Sequence, residues 1–204
     1  MRTVIHMVPT RTKLLEAAMA LLQASPRQRL NIVVLNKALF YLDLHALRDF
    51  GTTVTDQEYV ALPQGPVVDS YKNILVKPLV TAHLAEQLQV AAGAHMAEPI
   101  RVTNGITTFA CLNEREQALA RYISTSFLNS FVSAAVSAYS HDNPGWRVAY
   151  SKYEKGRPPV KIDMLLALQQ LGGDDDDATW LNEPLDADTM AICNAASSAT
   201  ILWD

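Results

Sequence analysis

Between Val33 and Leu47 apolar side chains point to nearly every side of a helix. A helix that is hydrophobic all round cannot lie on a surface, so it must be the buried centre about which other elements assemble. The pattern predicts this helix from about Leu30 to Phe50, with Gly51 as its C-terminal stop. A second amphipathic helix is expected from about Thr10 to Gln23, with Leu14, Leu15, Ala18, Leu21 and Leu22 on one face and Ser25-Pro26 ending it.

Further along, Glu58–Leu62 reads as a short strand, and Gly65-Pro66 suits a strand-to-helix turn with Pro at the first helical position. Helical spacing returns from Val67 to about Lys77, limited by Pro78, while His83–Glu98 has no clean period. Asn104-Gly105, flanked by Ile100–Thr103 and Ile106–Phe109, predicts a hairpin. Asn113 and Glu116 have capping-box spacing and open a helix, or two abutting helices, reaching Ser140. A last helix is expected from Asp163 to Leu171. The fold class is therefore α+β, mainly helical, with a small antiparallel β-sheet or hairpin.

With 204 residues, 49% hydrophobic, the chain can bury a core without staples. Cys111 and Cys193 stand apart with no metal-ligand spacing, and no leader or membrane-length apolar run is present, so the expected setting is the cytoplasm. No phosphate loop, nucleophile elbow, dinucleotide fingerprint or HExxH motif occurs, and the five histidines are scattered. His45 reads as a half-buried core histidine. No metal, cofactor or catalytic residue is called for. The first two helices could be mistaken for a helix-turn-helix, but the second is too apolar to lie in a groove, which argues against direct nucleic-acid binding.

Charge divides the chain. Residues 1–172 carry a net +4, whereas residues 173–204 carry −8 with no Lys or Arg. The expected organisation is a folded domain over 1–172 and an acidic tail over 173–204. Apolar residues such as Trp180 and Leu181 lie among the acids, a pattern suited to ordering on binding. Two surfaces could take the tail: a basic cleft on a partner, or the chain's own basic segment with Arg147, Lys152, Lys155, Arg157 and Lys161.

Two stretches carry a resemblance. Lys37-Ala38-Leu39-Phe40-Tyr41-Leu42-Asp43-Leu44-His45 is followed by Gly51 and by Tyr59-Val60-Ala61-Leu62-Pro63-Gln64-Gly65-Pro66-Val67; then come Leu112-Asn113-Glu114-Arg115-Glu116 and Ser140-His141 with Pro144 and Trp146. Together they resemble the Panacea domain of SocA-like, phage-associated GepA-like antitoxins. Gly145, between Pro144 and Trp146, departs from the expected pattern. The resemblance implies a bacterial or phage protein that binds rather than catalyses: the antitoxin of a type II toxin–antitoxin system, neutralising a cognate protein toxin by direct contact. The alternative it implies is an adaptor that delivers the toxin to a protease.

Of the signature residues, Lys37, Gly65, Pro66, Val67, His141 and Trp146 read as structural. Lys37 must either snorkel to water or meet an acid. His141 can bond free helix-end carbonyls, and Trp146 can cover the core edge. An enzyme would require Lys37, His141 and an acid to converge in one open pocket. Partner contact is assigned to Tyr71, Tyr150, Tyr153 and Trp180, with Asp174, Asp175, Asp176 and Asp177 in the tail.

Overall fold

The computed structural model describes residues 12–92, 95–128 and 133–172. Contacts divide the chain into two units, Met1–Leu171 and Gly172–Asp204. Asp174–Asp177 and Trp180 lie outside the described residues.

Helix α2 (Ile32–Phe50) is the centre that its sequence demands, with Leu35, Ala38, Leu39, Phe40, Tyr41, Leu42 and Leu44 fully buried. It starts two residues later than the periodicity suggests. Asn31 is its N-cap, accepting from the Val33 N–H, and Leu30 belongs to a strand instead. Gly51 ends it in the left-handed region, φ 72°, as expected. Helix α1 (Lys13–Ala24), capped by Thr12, packs along it.

Four polar groups are buried on α2, and each has an internal partner. Asn36 bonds Ile32 O and receives the Val68 N–H. Asp43 accepts from the Val54 and Thr55 amides and from the Thr55 and Tyr59 hydroxyls, which straps the loop after Gly51 onto the helix. His45 is 4% exposed, contacts Arg48 and stacks edge-on against Tyr122 and Phe127. Lys37 is taken up below.

Strands β1 (Arg29–Asn31), β7 (Pro99–Val102) and β4 (Ala85–Gln87) form an antiparallel sheet in the order β1-β7-β4. This overturns the hairpin expected at Asn104-Gly105. Both edges of β7 are already occupied, so Ile106–Phe109 has no edge to pair with. The Asn104 side chain donates to His83 O instead, and the Gln23 amide satisfies both backbone groups of Ile106. A small hairpin, β5 (Val90–Ala92) with β6 (His95–Ala97), occupies the stretch that showed no period.

The other hairpin, β2 (Tyr59–Leu62) with β3 (Gly65–Val68), corrects the reading of Gly65-Pro66 as a helix start. The turn lies earlier, at Pro63-Gln64, with Leu62 opposite Gly65. Gly65, at φ 110°, lies in a region that L side chains avoid. Pro66 costs no ladder bond because β3 is an edge strand. The outer edge of β2 is covered by the backbone of Val160 and Ile162.

Helical structure then resumes as a π turn (Lys72–Val76) running into α3 (Lys77–Thr81). Pro78 therefore sits inside the helical run rather than ending it. The wider turn, with Lys77 N–H bonded to Lys72 O, removes the demand for an ordinary bond at the proline nitrogen. Helix α4 (Glu114–Tyr122) opens with the expected capping box, Asn113 and Glu116 bonding each other reciprocally, and continues as a second π turn (Ile123–Phe127). Helices α5 (Ser133–His141), α6 (Pro144–Tyr150) and α7 (Met164–Leu168) complete the domain; α7 stops three residues short of the expected Leu171. Among the described residues no helix is long and apolar enough to cross a membrane.

Candidate partner-binding surface

The signature residues meet at one point, the turn of the β2–β3 hairpin. Lys37 is 1% exposed, and its ammonium donates to Gln64 O at 2.5 Å and to Ser137 Oγ at 3.2 Å. It thus takes neither course expected of it: it does not reach water, and among the described residues no carboxylate meets it. Burial with only neutral acceptors lowers its pKa to about 8. Gly65 is the space the lysine stem needs. A Cβ there would lie 2.9 Å from Lys37 Cε and 2.9 Å from Ser140 Oγ.

His141 closes the same turn from the other side. Its ring stacks on Trp146 with centroids 4.4 Å apart, and its buried Nε2 has no hydrogen-bond partner among the described residues. Burial, and then the Lys37 charge, lower its pKa. The contact recorded for the His141 ring is its stack on Trp146. Trp146 is 6% exposed, with its indole N–H donating to Leu62 O. Lys37 is thus enclosed beneath the Gln64 carbonyl, with Asp142 exposed at the end of α5. Together these contacts form a latch between the central helix, the hairpin turn and the end of α5.

The stack continues outward through Tyr150, 4.5 Å from Trp146, to Tyr153, 5.5 Å from Tyr150, both half-buried. Gly145 is explained by packing. A Cβ there would lie 2.7 Å from Asp163 O and 2.8 Å from the Ala167 methyl, so only glycine lets α6 approach α7 this closely.

The open surface lies beside the latch. Two depressions meet at Ile32 and Tyr71. One, of about 200 Å³, is lined by Val33, Leu62, Pro63, Gln64 and Val67, so the latched turn and signature Val67 form its wall. The other, of about 400 Å³, continues past Lys72, Val76, Lys77 and Val80 to Gln87 and Glu98. Tyr71 is presented at the junction by Ser70, whose φ of 55° turns the chain out of β3. A separate groove of about 420 Å³, lined by Leu30, Val34, Val90, Pro99, Leu128 and Val136 with Arg29, opens nearby. Of the residues assigned to partner contact, Tyr71 lies in a groove, and Tyr150 and Tyr153 belong to the latch's stack. Reading the sequence missed Lys72, Lys77 and Val80, because their shared face arises from a π turn that ordinary helical spacing does not describe.

Comparison with known proteins supplies the affiliation. The family described as "Antitoxin SocA-like, Panacea domain" matches residues 35–147, more than half of the chain. The chain belongs to the SocA-like Panacea domain family. Every residue of the latch, from Lys37 to Trp146, lies within that match. Among curated proteins it is also similar to glycine dehydrogenases (decarboxylating): 25% identical to that of Aliivibrio salmonicida over 68% of this chain and 16% of the enzyme, and 24% identical to that of Aliivibrio fischeri over 57% and 13%. The chain spans between about an eighth and a sixth of the length of those enzymes. No solved structure matches it significantly.

Proposed function

We propose that this Panacea-domain protein is the antitoxin of a type II toxin–antitoxin pair, acting in the cytoplasm of a bacterium or in the cell its phage infects. It binds its cognate protein toxin directly and occludes the toxin's active or substrate surface. The family match over residues 35–147 carries this reading. The groove around Tyr71 supports it physically: a partly apolar concavity with an aromatic side chain at its centre is how a protein surface concentrates contact energy. Tyr150 and Tyr153 serve as a second contact area. The tail residues Asp174, Asp175, Asp176, Asp177 and Trp180 assist by engaging a basic surface of the toxin.

The test is co-expression with the product of the adjacent gene. A neighbour that stops growth alone, is rescued by this chain and co-purifies with it supports the proposal; a harmless neighbour sinks it. Toxin level distinguishes masking from delivery to a protease, since masking leaves the toxin abundant and an adaptor depletes it only where the protease is present. Removing residues 173–204 should weaken the complex most at low salt. Unchanged affinity and salt dependence would exclude a role for the tail in toxin contact.

A further inference from the structure

The groove at Tyr71 has a charge pattern that its apolar lining does not require. Lys72 and Lys77 both line its larger lobe, both are exposed, and neither forms an ion pair among the described residues. Arg48, Arg101, Arg157 and Lys161 are paired with Asp49, Glu86, Glu154 and Glu58, while Arg27, Arg29, Arg115, Arg121, Arg147, Lys152 and Lys155, like the two groove lysines, form no ion pair among the described residues; what sets Lys72 and Lys77 apart is that they share one lobe. The one carboxylate in the lobe, Glu98, is engaged by the Gln87 amide. Asp69, next in sequence to the turn, accepts from Ser70, and its charge acts on Lys161.

The backbone explains why two lysines share one lobe. On an α-helix, residues five apart diverge by about 140° and would face different sides. Between Lys72 and Lys77 the turn is widened to a π register, with the Lys77 N–H bonded to Lys72 O, so both side chains project toward the same lobe. π turns are frequent at functional sites. The result is an apolar hollow between Ile32, Val67 and Tyr71, with two uncommitted cations beyond it.

We infer that this groove receives a segment of a protein partner in which an apolar side chain is flanked by carboxylates. The apolar group enters beside Tyr71, against the wall formed by the Leu62–Gln64 turn, and the carboxylates meet Lys72 and Lys77. The inference rests on the reading of this domain as a partner-binding module and adds the chemistry of what it recognises. Lys37 acts here as a positioning residue. It touches no partner but fixes the Gln64 carbonyl and thereby the wall.

The experiment measures binding of three fluorescein-labelled peptides to the full chain by polarisation. Each carries a central Leu-Trp, flanked by Asp and Glu, by Ser, or by Lys and Arg. The acidic peptide should bind at least about tenfold tighter than the basic one, with the gap closing as salt rises from roughly 50 to 500 mM. The double variant Lys72→Glu/Lys77→Glu, on surface positions that leave the fold intact, should reverse the order, and Tyr71→Ala should weaken all three. Equal binding of the three peptides, binding of none, or an acidic preference that survives charge reversal overturns the inference. Growth rescue is scored separately with the cognate toxin. Rescue that persists while peptide preference is absent removes the groove assignment and leaves the antitoxin reading standing.

Discussion

The ammonium of Lys37 lies 2.5 Å from the carbonyl oxygen of Gln64, so a full positive charge inside the core is held by the turn of a hairpin. The relationship joins the central helix to the wall of the candidate groove. It also gives the signature lysine a specific physical duty.

The charge on Lys37 should be visible in stability. Its folded pKa of about 8 lies below the ordinary 10.5, so between these values the unfolded chain binds more protons than the folded one. Stability contributed by this group therefore rises as pH increases from 8 toward 10.5, by up to about 3 kcal/mol. Buried Tyr41 and Tyr59, whose pKa values are pushed up, oppose the trend near pH 10. The measurement is thus the difference between wild type and Lys37→Met in urea unfolding from pH 7 to 9.5. Parallel pH profiles would show that the lysine is solvated.

His45 should act in acid. Burial, and then the Arg48 charge, lower its pKa to about 4, so the unfolded chain takes up the proton first as pH falls below 6.5. Stability is lost between pH 6.5 and 4, by about 3 kcal/mol at most. His45→Phe, which keeps the ring against Tyr122 and Phe127, should flatten that part of the profile relative to wild type.

Asp43 separates hydrogen bonding from charge. Burial raises its pKa even though four donors converge on it, so ionisation itself is disfavoured there while the acceptor geometry is essential. Asp43→Ala orphans the Val54 and Thr55 amides and should cost about 3 kcal/mol. Asp43→Asn should cost about 1 kcal/mol, because the Thr55 and Tyr59 hydroxyls can turn to accept from an amide. Chemical denaturation that ranks Asn as badly as Ala would refute this account.

Gly145→Ala sets two magnitudes against each other. In a helix, alanine is favoured over glycine by about 1 kcal/mol. Here its methyl would meet backbone at 2.7 Å from Asp163 O and 2.9 Å from Ala167 N, and overpacking of this kind costs about 1–3 kcal/mol. The clash should win, giving a lower melting temperature. A rise would mean that α6 and α7 part readily.

The central helix, the capping box and the glycine stop were legible because each rests on local spacing, such as the three residues from Asn113 to Glu116. Long-range partners decided the rest. Asn104-Gly105 carries the strongest hairpin signal in the chain and forms none, because β1 and β4 had already claimed β7. Gly65-Pro66 looks like a helix start because no local rule shows that Lys37, 28 positions earlier, needs the missing Cβ. Tyr71 could be chosen as an aromatic on an amphipathic stretch; its two lysine neighbours could not, since the π register that aligns them has no periodicity to read.

The latch also fixes an order of events during synthesis. The turn at Gln64 is secured by Ser137, 100 residues from Lys37, and by Trp146, 84 residues from Leu62. A nascent chain that has emerged only as far as α4 carries Tyr71, Lys72 and Lys77 but lacks the groups that set the wall beside them. The surface proposed for partner contact is therefore completed late, after most of the domain has left the ribosome, and a fragment released early would lack its wall.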